Sequence, residues 1–227
     1  MTGRLNIHRR AVLLFAYCFL AGWVLTGSEK AWPSPMAEIP AGEFTIGEAV
    51  SENSLEKRTV NLEAFFMDTH EVTNAEFSGQ FPQHTFYPGA EPHPVSLVTW
   101  DEARQYCALL GKRLPSEAEW EKSARGPEGR IYPWGNKAPR KKPHPYYSGL
   151  IKRRVGLNRN DISYYGLNDM AGSVWEWTGE QVDGKIVVRG GLWNLHLDYE
   201  YSKTFERNLL DPDRRFPFLG FRCARSK

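Results

Sequence analysis

Apolar positions after residue 37 fall in short runs, each broken by glycine, proline or charge before it can become a long element. Ile39-Pro40-Ala41-Gly42-Glu43-Phe44-Thr45-Ile46-Gly47 reads as a short strand with turn residues on both sides. Thr59 to Met67 alternates imperfectly and predicts a second strand. Helix starts are then marked by Ser/Thr-x-x-Glu boxes at Thr73/Glu76, Thr99/Glu102 and Ser116/Glu119. The first predicts a short helix from Asn74 that turns Ala75, Phe77 and Phe81 inward. The second puts Ala103, Tyr106, Cys107 and Leu110 on one helical face, with Gly111 as a left-handed cap. The third buries Trp120 and Ala124 and stops before Gly126. Val95–Val98, Lys185–Arg189 and Leu219–Cys223 read as strands, and Ile131–Asn136 as an aromatic turn. Ser51–Arg58, Gln83–Pro94 and Asp198–Arg215 are polar loops.

The chain is organised around Gly166-Leu167-Asn168-Asp169-Met170-Ala171-Gly172-Ser173-Val174-Trp175-Glu176-Trp177-Thr178. Trp175 and Trp177 alternate with Val174 and Glu176, as in a half-buried strand leaving a turn. The carboxylates of Asp169 and Glu176 and the carbonyls of Gly172 and Val174 form an all-oxygen set of the kind a hard cation takes from a compact loop. The same residues also fit a plain turn before a core strand, its acids capping backbone. His70 beside Glu71 reads as a pair of satisfied structural polar groups rather than an acid–base or metal pair.

Composition adds an address. The 227 residues hold 20 glycines and 15 prolines, which suits one loop-rich domain plus an appendage. With 29 basic against 27 acidic residues, nothing in the overall charge points to nucleic acid. Arg4, Arg9 and Arg10 precede an uncharged run from Ala11 to Gly27, the pattern of a signal peptide or uncleaved signal-anchor helix over residues 1–30. Basic residues stay cytoplasmic, so a linker at 31–37 and a domain at 38–227 are expected outside the cytoplasm: membrane-anchored, periplasmic in a Gram-negative cell, or secreted if the signal is cleaved. The basic stretch from Lys137 through Arg140, Lys141, Lys142, Lys152 and Arg153 to Arg154 reads as a solvated loop, or as a site for an acidic partner or anionic lipid. Beyond Cys18 the only cysteines are Cys107 and Cys223. In an oxidising compartment an even pair predicts a disulfide, which would be worth about 4–5 kcal/mol over so long a loop; a catalytic or metal-binding thiol pair is the other use.

Together these motifs resemble the formylglycine-generating enzyme, or sulfatase-modifying factor, family. The resemblance is carried by Ile39–Phe44, Glu71–Phe77, His93–Val95, Thr99–Ala103, Gly111–Glu121, Pro133–Asn136, Gly166–Thr178, Arg189–Gly191 and Gly220–Cys223, in the family's order. It implies an α+β, C-type-lectin-like fold with little regular structure. It implies calcium held by Asp169, Gly172, Val174 and Glu176, and places a structural disulfide at Cys107–Cys223. The family's second calcium loop falls at His144–Gly149, where an expected asparagine is missing, so that site is not carried over.

The chemistry departs from the family. Its oxidases bind copper through two cysteines after the Gly-Gly of the late strand, positions held here by Leu195 and Glu200. Leucine offers no ligand and a carboxylate suits cuprous ion poorly, which argues against copper oxidase activity. His196, Asp198 and Glu200 alternate and are the remaining catalytic candidates, able to hold iron in a non-haem oxidoreductase or to form only the polar rim of an inherited cleft. The expectation is therefore a binding, assembly or accessory subunit for an extracytoplasmic protein or membrane complex, with the metal-dependent oxidoreductase as alternative.

Overall fold

The structure, a computed structural model, describes residues 34–49, 54–138, 154–191 and 202–227. All of them belong to the compact unit Ala31–Lys227. The N-terminal apolar run, most of the basic stretch, and Leu195, His196, Asp198 and Glu200 lie outside the described residues. No helix among the described residues is long and apolar enough to cross a membrane.

The described fold is mixed α and β with little helix. The opening strand splits in two: β1 (Met36–Ile39) and β2 (Gly42–Ile46) are separated at Pro40, which has no N–H to give a ladder. The second strand splits as well, because β3 (Arg58–Leu62) and β4 (Phe65–Asp68) serve different sheets. Among the described strands β3 pairs only with β2, whereas β4 lies between β1 and the C-terminal strand β9 (Ala224–Ser226). The Glu63-Ala64 step carries the chain from one sheet to the other.

The helices form where their caps predict. In α1 (Asn74–Gln80), α2 (Trp100–Leu109) and α3 (Glu117–Arg125), the cap hydroxyl accepts from the N3 amide and the N3 glutamate accepts from the cap amide. Each cap is worth about 1 kcal/mol. Ala103, Tyr106 and Cys107 are buried on α2, and Gly111 follows it at φ 68°, the left-handed position that favours glycine. Trp120 and Ala124 are fully buried on α3.

Val95–Val98 is not a strand. Leu97 adopts φ 59°, so its side chain turns out to 49% exposure while Val95 and Val98 stay buried. Its amide donates to Phe216 O, and its carbonyl accepts from Arg215. The last predicted strand shortens to β8 (Leu219–Gly220), parallel to β5 (Trp175–Val182). Gly220 has to be glycine here: a Cβ would lie 2.5 Å from Val95 O. Antiparallel β6 (Lys185–Arg189) and β7 (Asn208–Leu210) complete that sheet, in the order β7-β6-β5-β8.

One apolar cluster fills the space between α1, α2 and this sheet, with Phe77, Val98, Tyr106, Trp177, Val188 and Phe221 among its members. A second joins Ile39, Phe65, Met67, Trp120, Leu167 and Met170. Cys107 and Cys223 form a disulfide that ties α2 to the chain between β8 and β9. Behind the sheet, fully buried Arg189 donates to Glu117 and Glu121, and Glu121 also accepts from Arg125 and from the Gly47 amide. This network locks α3, β6 and the β2–β3 hairpin together.

Candidate functional site

The loop before β5 is held from two sides. Asp161 O accepts from the Asp169 amide at 3.0 Å, and Asp161 Oδ2 accepts from the Ala171 amide at 2.9 Å. From the other side Thr69 O accepts from the Asn168 amide at 2.8 Å. These bonds keep Asp169 at φ 58°, a left-handed backbone that aspartate tolerates better than most residues. Its carboxylate accepts from the Gly156 amide. Gly172 is buried at φ 121°. Gly190 packs against the Val174 carbonyl so closely that a Cβ would stand 3.2 Å from it.

β5 is more buried than its alternating pattern predicts: Trp175, Glu176, Trp177 and Thr178 are all buried in succession. Sheet neighbours and helices cover both of its faces, so the polar member of the pattern must find a partner inside. Glu176 is fully buried and paired with fully buried Arg222. Arg222 Nε donates to Glu176 Oε2 and Nη2 to Oε1, both at 2.8 Å, and Trp120 Nε1 donates to Oε2 at 2.8 Å. Nη2 also donates to Asn168 O at 3.0 Å and Nη1 to Asp68 O at 3.3 Å. Burial opposes the charge on Arg222, but the Glu176 carboxylate outweighs it and holds the guanidinium above its ordinary value.

Further acids face the same guanidinium. Glu71 is fully buried, and among the described residues no other residue gives its carboxylate a hydrogen bond; Arg222 Nη2 stands 3.9 Å away. Asp161 is 1% exposed, and among the described residues its Oδ1 also lacks a partner. Burial raises Glu71 well above the usual carboxylate range, helped by the charge of Asp169. Burial likewise pushes Asp161 up to about 8, and raises Asp169 against the Gly156 N–H and Arg222. Glu71 and Glu176 thus flank one arginine whose charge also acts on Asp161 and Asp169, and buried negative charge in excess of it is met by protons or by a cation.

Asp161 carries a measurable consequence. Its ordinary value of 3.8 applies to the unfolded chain and about 8 to the fold. Between those values the folded state holds a proton that the unfolded state has released, so stability falls as pH rises through the window. In chelator, the melting temperature is expected to decline from pH 5 to pH 8 and then level. Asp161→Asn, which still accepts from Ala171, is expected to flatten that decline. An unchanged slope in the variant would remove Asp161 as its source.

Residues 25–227 match the sulfatase-modifying factor enzyme 1-like domain. The chain belongs to that family. It is 29% identical to the formylglycine-generating enzyme of Bos taurus over 288 aligned residues, covering 87% of this chain and 76% of that protein. It is 38% identical over 152 residues to the Bos taurus inactive C-alpha-formylglycine-generating enzyme 2, covering 58% of this chain and half, 50%, of that relative. PvdO from Pseudomonas aeruginosa shares the fold, with a TM-score of 0.72 at 21% identity, over 86% of this chain and 95% of that one.

Against the family pattern, the structure brings Asp169 and Glu176 to the same buried centre. Among the described residues no three acids, histidines or cysteines stand where they could together hold a metal ion. The fit to a hard cation is therefore partial. Asp169 and the uncompensated charge suit it; Glu176 already accepts three N–H groups. His196, Asp198 and Glu200 receive no placement, being outside the described residues.

The reading of His70 and Glu71 as satisfied groups holds only for the histidine. His70 Nδ1 donates to Glu71 O at 2.8 Å, while the Glu71 carboxylate is orphaned. Sequence reasoning missed Asp161 and Arg222 as well. Asp161 sits in a polar run with no periodicity, and Arg222 adjoins Cys223, whose pairing alone accounts for a buried position there.

Proposed function

We propose that this chain is a non-oxidising member of the family, exported and tethered to a membrane by its N-terminal apolar run, that serves as a binding, assembly or accessory module for an extracytoplasmic protein or membrane complex. One observation carries the reading: the domain's entire complement of cysteines after Cys18 is spent in the Cys107–Cys223 disulfide. The oxidase chemistry of the family requires a reactive thiol pair elsewhere, and this chain has none to offer. Similarity to a relative named as inactive is consistent with that reading. A disulfide also suits an oxidising compartment, in keeping with the basic-then-apolar N-terminus. We read the fold as C-type-lectin-like, a rigid core of buried ion pairs presenting surface loops to a partner. The loop at Asp169, Gly172, Val174 and Glu176 takes calcium in this reading, as a structural brace beside the cleft and not as a redox centre.

The full-length protein in detergent tests this directly. It is expected to leave a sulfatase-type cysteine peptide unconverted with copper supplied, and to carry calcium without stoichiometric iron or copper. Iron or copper that disappears in Glu200→Ala would instead establish the oxidoreductase reading at His196, Asp198 and Glu200. Fractionation is expected to leave the protein in membranes with residues 38–227 open to protease from outside the cytoplasm. A processed soluble product would rule out the tether.

A further inference from the structure

We infer that the loop 154–164 rests on an anionic phospholipid surface, with Leu157, Ile162 and Tyr164 at headgroup level and Arg154 and Arg159 on lipid phosphates. The inference rests on the N-terminal tether and names the surface against which the tether holds the domain.

The loop turns apolar side chains outward because its polar ones are pinned inward. Asp161 and Ser163 are buried: Asp161 O accepts from the Asp169 amide, and Ser163 Oγ from the Leu167 amide. Their neighbours then face out, Ile162 at 39% exposure and Tyr164 at 50%. Tyr164 packs on Gly126, where a Cβ would stand 2.7 Å from the tyrosine's own, and the Arg130 guanidinium lies 5.2 Å from its ring centre. Leu157, 56% exposed, follows Gly156, whose amide is bonded to Asp169 Oδ2. At the start of the loop the Val155 amide donates to Pro92 O, beside His93 and its edge-on partner Tyr87, which is 61% exposed.

Exposed aliphatic and tyrosine side chains interleaved with arginine are the composition of a membrane interface, where rings sit among headgroups and guanidinium groups pair with phosphate. Arg130, Arg154 and Arg159 stand here against two exposed acids, Glu91 and Glu128. Between Glu128 and Asp161 the sequence holds no acid at all.

The tether decides which face meets the bilayer. The chain enters the domain at Ser34, whose hydroxyl donates to Glu76 at 2.9 Å, and at Pro35, whose carbonyl accepts from the Thr69 amide. Thr69 O in turn accepts from the Asn168 amide, and Asn168 is bridged to Ile162. Three backbone-paired steps of this kind span about 15 Å, so the entry point and the exposed loop share one side of the domain. Seven residue steps separate Gly27, where the uncharged run ends, from Ser34. Fully extended they reach about 25 Å. A compact domain of this length is about 40 Å across, so the tether is too short to let the opposite face turn to the lipid.

Full-length protein reconstituted in vesicles of phosphatidylcholine and phosphatidylglycerol, with a quencher on the lipid headgroups, tests this. Fluorophores are attached at Leu157→Cys, at Ile162→Cys and, as reference, at Asp183→Cys, each in a Cys18→Ser background. Asp183 lies in the turn beyond the far end of eight-residue β5, some 20 Å of strand from the loop, by a rise of about 3.3 Å per residue. Quenching at Leu157 and Ile162 is expected to exceed the reference by about twofold or more, and Arg154→Glu/Arg159→Glu to remove at least half of that excess. Equal quenching at all three positions, in protein that still resists carbonate extraction, overturns the inference and leaves the tether standing. An excess that charge reversal does not change overturns the assignment to anionic lipid. Loop labels that match the reference in vesicles but are shielded in native membranes assign the face to a protein partner instead. Protein that carbonate extracts removes the tether, and the inference with it. Where either label lowers the melting temperature, Tyr87→Cys replaces it.

Discussion

Arg222→Ala is expected to destabilise the domain by about 3–5 kcal/mol, because it leaves the fully buried Glu176 carboxylate with no opposing charge. For a domain of this size that corresponds to a fall in melting temperature of about 10 °C or more. The loss exceeds that of a surface pair because neither ion can return to water: both side chains are fully buried. Arg222 also bonds Asn168 O and Asp68 O, so its removal loosens the loop before β5 and the end of β4 together. Scanning calorimetry of the variant in chelator gives the reading. A drop of less than about 3 °C, equivalent to roughly 1 kcal/mol, would mean that Glu176 finds another partner.

Breaking the Cys107–Cys223 bond is expected to cost a similar amount. The cysteines are 116 residues apart, and a loop of that length is worth about 4–5 kcal/mol in the chain-entropy account. The bond also holds α2 beside the chain entering β9, where Asp68 O accepts from Arg222 and Asp68 Oδ2 from the Cys223 amide. Guanidinium unfolding of the Cys107→Ser/Cys223→Ser double variant measures the loss directly. A change below about 1 kcal/mol would show that the unfolded chain gains little freedom when the bond is absent.

Local signals are legible in the chain itself. Each helix began at its Ser/Thr-x-x-Glu box, because a cap hydroxyl and a glutamate three residues on satisfy amides that no tertiary partner need reach. Gly111 and Gly126 stop α2 and α3 for equally local reasons of backbone conformation. The cysteine count and the ordered family motifs led to the disulfide pair and to the family. Long-range geometry was not readable in that way. β4 lies between β1 and β9, whose residues come from opposite ends of the domain, so nothing near Phe65 signals that the strand before it ends at Leu62. Leu97 looks like a strand residue, and only its bonds to Phe216 and Arg215 hold it in the left-handed region.

The candidate centre divides the same way. Asp169 and Glu176 announce themselves by spacing, as an acid–glycine–acid loop does. Whether a carboxylate can accept a cation depends on which donors already surround it, and those come from residues far along the chain. Trp120 and Arg222 occupy Glu176, while folding buries Glu71 and Asp161 with carboxylate oxygens that no other described residue bonds. Short-range hydrogen bonding is written in neighbouring residues; the balance of buried charge is a sum over contacts between distant ones, and so it appears only once the chain is folded.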